Sequence, residues 1–176
     1  MEFQPLPLAG AWLITLTHLG DERGSFARTF CAETFAAHGL NPVVAQCNVS
    51  VNARRGTLRG LHFQREPHDE AKLVRCVRGT IWDVIVDLRP ESPTFRQWTA
   101  VDLDAAAGRQ LYVPEGMAHG FQTLCDDVEV LYQMSAPYVP AAASGLRWDD
   151  PDLAIPWPVA ASILSERDRS WPLLGD

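Results

Sequence analysis

The chain has 176 residues, 47% of them apolar and 21% charged, with a net charge of −7. This suits one domain with a core able to fold unaided, is too acidic for a general nucleic-acid surface, and includes no run near the roughly 20 apolar residues that cross a bilayer. Met1-Glu2-Phe3-Gln4-Pro5 lacks the basic and apolar regions of a signal peptide, so the expectation is a cytoplasmic protein, without membrane or nucleic-acid partners, folded as a single domain over 1–176.

In chain order, period-2 hydrophobicity and turn punctuation predict strands at 12–17, 25–30, 43–51, 57–64, 71–78, 80–88, 97–102, 110–113, 120–124 and 129–134. A helix is expected at 32–38, with Gly39 as its C-terminal stop, and a short one in the tail from 160, before Trp171-Pro172. The proline-rich stretch 151–158 reads as an extended strap. Breakers at Gly20-Asp21, Asn41-Pro42, 89–93, Ala107-Gly108 and Pro114-Glu115-Gly116 separate the strands. Short strands at this spacing point to a mainly β sandwich or jelly-roll barrel with few helices. Cys31, Cys47, Cys76 and Cys125 form no C-x-x-C pair, which fits reduced, mostly buried thiols.

The chemistry concentrates in Leu58-Arg59-Gly60-Leu61-His62-Phe63-Gln64, Lys72 and the Pro114–Phe121 turn carrying His119. Seven of the fifteen basic residues (Arg54, Arg55, Arg59, Arg65, Lys72, Arg75 and Arg78) lie within 25 positions. That is either a solvated face or a phosphate-binding one. Strict alternation puts His62 and Gln64 opposite Arg59. One site can hold both His62 and Arg59 only if Gly60 permits a bulge. His62 reads as a structural histidine or a base, and Lys72 as a solvated cation or a group that steadies an enolate. Tyr132 is a packed aromatic or a general acid. Asp83 shares a strand face with Ile81 and Ile85, so it needs a cationic partner or a wet cavity. His62, His68, Glu70 and His119 are suitable metal-ligand types. The His-x-His pair of metal cupins is broken by Gln64, so no metal or other cofactor is expected, with a metal-dependent cupin kept as a remote alternative.

Several segments in order resemble the dTDP-4-dehydrorhamnose 3,5-epimerase family of nucleotide-sugar epimerases. They are Gly20-Asp21-Glu22-Arg23-Gly24, Gln46-Cys47-Asn48-Val49-Ser50, 58–64, Lys72-Leu73-Val74-Arg75, 83–89, Ser92-Pro93-Thr94-Phe95, 114–121, Trp148-Asp149-Asp150-Pro151 and Leu164-Ser165-Glu166-Arg167-Asp168. The resemblance covers nearly the whole chain. It implies a cupin-type jelly roll, working without metal as a homodimer with strand exchange, on a nucleoside-diphosphate 4-keto-6-deoxyhexose inverted at C3 and C5. By position, His62 would be the base, Lys72 the enolate-holding cation, Tyr132 the acid and Asp168 the carboxylate that orients His62. Asp83 and His119 match polar residues lining the cavity. Arg23, Gln46, Asn48 and Arg59 match positions that contact the nucleotide, and Phe26 and Tyr138 match positions that stack on the base, Arg23 and Phe26 arriving from the partner subunit.

One departure stands out. The family commonly has Phe-x-Glu where this chain has Phe26-Ala27-Arg28. A glutamate can accept the N3–H of thymine, whereas an arginine only donates. Arg28 is therefore either a reader of another base, with CDP-sugars first, or a surface partner of Glu33. The alternative function is 3-epimerisation alone, on a CDP- or other nucleotide sugar.

Overall fold

The structure, a computed structural model, describes residues 1–161 and 163–175. The chain runs β1 (Glu2–Pro5), β2 (Trp12–Thr15), β3 (Leu19–Asp21), β4 (Gly24–Phe26), α1 (Ala32–Ala37), β5 (Gln46–Asn52), β6 (Leu58–Gln64) and β7 (Lys72–Arg78). It continues through β8 (Thr80–Asp87), β9 (Trp98–Asp104), β10 (Arg109–Val113), β11 (Met117–Thr123), β12 (Val128–Met134), β13 (Ala143–Gly145) and α2 (Glu166–Ser170). Two antiparallel sheets face each other, ordered β1-β2-β10-β7-β12-β5 and β13-β6-β11-β8-β9, with β3-β4 a separate ribbon. This is the cupin-type jelly roll expected from the sequence.

Alternation decides what each strand buries. In β8, Ile81 and Ile85 point between the sheets, where they meet Val74, Cys76, Leu111, Val113, Phe121 and Val130. Each such aliphatic side chain contributes about 1.5–3 kcal/mol on burial. Val84 and Val86 point the other way and are covered by Leu146, Leu153, Ile155 and Trp157. The proline-rich strap thus closes the outer face of the five-stranded sheet, as irregular chain opening in a turn rather than as an extended segment. On the far side, Phe35 of α1 lies with Ile14, Leu40, Leu73 and Tyr112 over the six-stranded sheet.

Several boundaries differ from expectation for identifiable reasons. β1 contains a proline, which its edge position tolerates because it pairs only with β2. The expected strand at 43–51 begins at Gln46, and the Val43 N–H is instead taken by the Asn41 side-chain oxygen at 3.0 Å, as in a turn. β11 starts at Met117, immediately after the Pro114-Glu115-Gly116 turn, and takes His119 into the sheet. α1 ends at Ala37, with His38 as its C-cap and Gly39 next at φ 71°. In the tail, the Ser165 hydroxyl caps α2 by accepting the Asp168 backbone N–H at 3.0 Å.

Candidate active site

A cavity of about 390 Å³ opens between the sheets. The five-stranded sheet supplies Arg59, His62, Gln64, His119 and Phe121, and the six-stranded sheet supplies Asn48, Ser50, Lys72, Tyr132 and Met134. Tyr138 and the tail residues Arg167, Asp168 and Trp171 rim it.

Arg59 and His62 do share this cavity, and the register shows how. His119 pairs with His62 and Phe121 with Arg59, so β11 advances two residues while β6 advances three. The extra residue is a bulge at Gly60, whose φ is 140°. A side chain there would sit 2.6 Å from the Gly120 Cα. Glycine is required by both the backbone angle and the close approach of the two strands.

His62 Nε2 lies 2.6 Å from Asp168 Oδ1. Burial opposes ionisation of Asp168, but the His62 hydrogen bond and charge, with help from the Gly60 backbone amide, outweigh it and lower its pKa. An ionised carboxylate only accepts, so Nε2 carries the proton and the other ring nitrogen is left free to take one. His62 is partly exposed, while Asp168 is buried beneath it.

Across the cavity, Lys72 is 5% exposed and its Nζ is 2.6 Å from Glu70 Oε1. Burial pushes the Tyr132 phenol well above its usual range, with the Asp83 carboxylate adding to the effect. Tyr132 stays protonated and stands edge-on to His119, ring centres 5.9 Å apart. His119 Nε2 contacts Asp83 Oδ1 at 2.5 Å, the cationic-capable partner the sequence required for this carboxylate. Burial nevertheless raises the Asp83 pKa.

The remaining expected residues divide. Asn48, Arg59, His119 and Tyr138 line the cavity, with Asp83 behind His119. Gln46 is not on the wall; its side-chain oxygen accepts the Tyr138 backbone N–H at 2.9 Å. Arg23, Phe26 and Arg28 lie outside the cavity of their own chain. Arg23 pairs with Asp21, and Phe26 and Arg28 border a separate depression with Met1 and Leu19. No ion pair joins Arg28 to Glu33 among the described residues.

Three supporting residues were not assigned to the site from sequence. Asn52 is 2% exposed and accepts the Arg59 Nε–H at 2.7 Å. Gln64 donates to the Pro137 and His68 carbonyls and accepts the Val139 N–H at 2.6 Å, bracing the loop that carries Tyr138. Glu70 shares its side of the chain with Lys72 two residues later, a spacing visible in the sequence. Among the described residues no three His, Cys, Asp or Glu side chains converge in a metal-binding group. Among the described residues no helix is long and apolar enough to cross a membrane.

The family model described as dTDP-4-dehydrorhamnose 3,5-epimerase matches residues 5–176. The dTDP-4-dehydrorhamnose 3,5-epimerase of Sinorhizobium fredii is 45% identical over 175 residues, covering 99% of this chain and 90% of that one. The dTDP-4-dehydrorhamnose 3-epimerase of Streptomyces niveus is 41% identical, covering 100% and 85%. The crystal structure of dTDP-4-dehydrorhamnose 3,5-epimerase from Bacillus anthracis, with TDP and PPi bound, superposes with a TM-score of 0.95 at 43% identity, covering 98% of this chain and 99% of that one. Fold, cavity and sequence agree, and the chain belongs to the dTDP-4-dehydrorhamnose 3,5-epimerase family, as an isomerase that epimerises a carbohydrate.

Proposed function

We propose that this epimerase inverts C3 and C5 of a dTDP-linked 4-keto-6-deoxyhexose, with His62 as base, Lys72 as enolate partner and Tyr132 as acid. The observation that carries this reading is the placement of His62 and Tyr132 on facing sheets, on opposite sides of one cavity. The C4 carbonyl acidifies the hydrogens on C3 and C5. The free ring nitrogen of His62 takes such a proton, and the C–H electron pair becomes the enolate double bond. The carbonyl π electrons move to O4, where the Lys72 ammonium offsets the new charge. Tyr132 then donates its hydroxyl proton to the carbon from the other side, which inverts it, and solvent restores both groups.

Arg59, fixed by Asn52, is suited to the diphosphate, and Tyr138 at the mouth to stacking on the base. Arg23 and Phe26 complete the nucleotide site only from a second copy, in a homodimer that exchanges the β3-β4 ribbon. Supporting this, Phe26 is 72% and Leu19 69% exposed on that ribbon, while Val49 and Val51 are exposed along the outer face of edge strand β5. Sedimentation should give a dimer.

Incubation with the dTDP-4-keto-6-deoxyhexose in deuterium oxide tests the chemistry. NMR should show label at both C3 and C5. Label at C3 alone would establish the 3-epimerase reading, which the Streptomyces niveus relative's name favours. Calorimetric titration of dTDP against CDP, GDP and UDP tests the base. A preference for dTDP is expected, and a preference for CDP would assign Arg28 to base recognition.

A further inference from the structure

We infer that Glu70 contacts the substrate and sets its specificity: its free carboxylate oxygen accepts the hydroxyl hydrogen on C3 of the keto sugar. The inference rests on the reading that Lys72 meets the C4 oxygen. Glu70 and Lys72 are 4% and 5% exposed, and both line the cavity. Their 2.6 Å contact, made to Glu70 Oε1, is an ion pair without hydrogen-bond alignment and leaves Lys72 Nζ without a hydrogen-bond partner; the second carboxylate oxygen, Glu70 Oε2, is buried and has none either. A buried acceptor without a donor is costly, and a donor brought by the ligand removes that cost.

Position narrows what the donor is. With Nζ at the C4 oxygen, Glu70 stands next to the two carbons that flank C4. In a 4-keto-6-deoxyhexose, C5 carries a hydrogen and a methyl group, and neither donates. C3 carries a hydroxyl, which does. A carboxylate this near a forming enolate would oppose it unless cations or donors intervene. The Lys72 ammonium and the C3 hydroxyl supply both. The contact also fixes which way round the ring lies, so that C3 and C5 keep their places relative to His62. The substrate class is thereby restricted to keto sugars that retain the 3-hydroxyl.

The test compares the 3-hydroxy substrate with its 3-deoxy analogue, following exchange of the C5 hydrogen, which both possess, with solvent deuterium. Wild-type enzyme should favour the 3-hydroxy sugar at least tenfold in kcat/KM, since a site built to bond a hydroxyl rejects the analogue lacking it. Glu70→Ala slows both sugars because Lys72 loses its partner, but the ratio between them should fall toward one. Glu70→Gln, which keeps shape and an acceptor oxygen, should retain part of the ratio and serves if the alanine variant does not fold. An unchanged ratio in these variants, or no discrimination by the wild type, overturns the inference. Absence of C5 exchange with the 3-hydroxy sugar in the wild type instead overturns the C5 chemistry proposed above.

Discussion

His62 and Asp168 meet at 2.6 Å although 106 residues separate them in the chain. The contact depends on the Ser165 cap, which fixes the first turn of α2 and so the direction in which Asp168 points. Asp168→Asn substitutes a neutral amide, which no longer stabilises the charged imidazole or enforces its tautomer. The expected result is a kcat lower by on the order of 10²-fold with KM little changed, since a positioned base supplies about 10²–10⁴-fold. Steady-state kinetics and circular dichroism on the same sample check it. A normal kcat would make the pair structural.

His62→Ala should abolish exchange at both carbons, a loss of on the order of 10²–10⁴-fold. No second imidazole is free to replace it, because His119 is buried and committed to Asp83. Mass spectrometry of substrate recovered from deuterium oxide measures this directly. Exchange persisting at one carbon would show that His62 serves only the other.

Tyr132→Phe separates proton removal from proton return. Burial keeps the wild-type phenol protonated, so it can act as donor throughout the neutral range. Without it, His62 still removes the proton and can return it to the same face. Substrate hydrogen should therefore wash out into solvent while inverted product forms at least tenfold more slowly. Equal loss of wash-out and inversion would make Tyr132 a packing residue.

Much of this arrangement was legible from the chain, because alternation and turn punctuation report directly on which face a strand buries. The strand face shared by Ile81, Asp83 and Ile85 and the helix stopped by Gly39 are both found in the structure. Edge elements were harder to read: β1 and β13 bury few side chains, so hydrophobic period says little about them. The Asn52–Arg59 and Gln64–Val139 contacts were not legible either. They join residues whose polar side chains carry no periodic signal, and only the folded sheet order brings them within bonding distance.

Asp87 provides the pH test. It is fully buried, and burial disfavours its charge. Hydrogen bonds from Arg89 at 2.8 and 2.7 Å, Thr94 at 2.7 Å and Ser92 at 2.5 Å outweigh that and hold its carboxyl well below the usual range. A depressed folded pKa contributes stability above the unfolded value near 4, and this is lost as pH falls from there. Asp87→Asn should cost about 3 kcal/mol at pH 7, since breaking a buried pair strands its donors. The difference from wild type should shrink as pH drops below about 4. Urea unfolding across pH measures it; a difference independent of pH would mean that the carboxylate charge is not the stabilising feature.

Gly60→Ala tests the bulge that brings Arg59 and His62 into one cavity. The new Cβ would lie 2.6 Å from the Gly120 Cα and 3.2 Å from the His119 carbonyl oxygen, at a φ of 140°. Both neighbours are backbone, so no side-chain rotation relieves the clash. The strands must separate, at a cost of at least about 3 kcal/mol from combined strain and lost packing, or roughly 10 °C in Tm. Gly39→Ala is the control: its φ is 71°, but nothing lies within 4 Å of the added Cβ. It should therefore cost only about 1–2 kcal/mol, from the left-handed backbone alone. Calorimetry on the two variants should show the larger loss at Gly60. Any Gly60→Ala protein that folds should also bind dTDP more weakly, because shifting β6 moves Arg59 away from the wall it shares with His62. Equal Tm values in the two variants would mean that β6 tolerates a Cβ at the bulge.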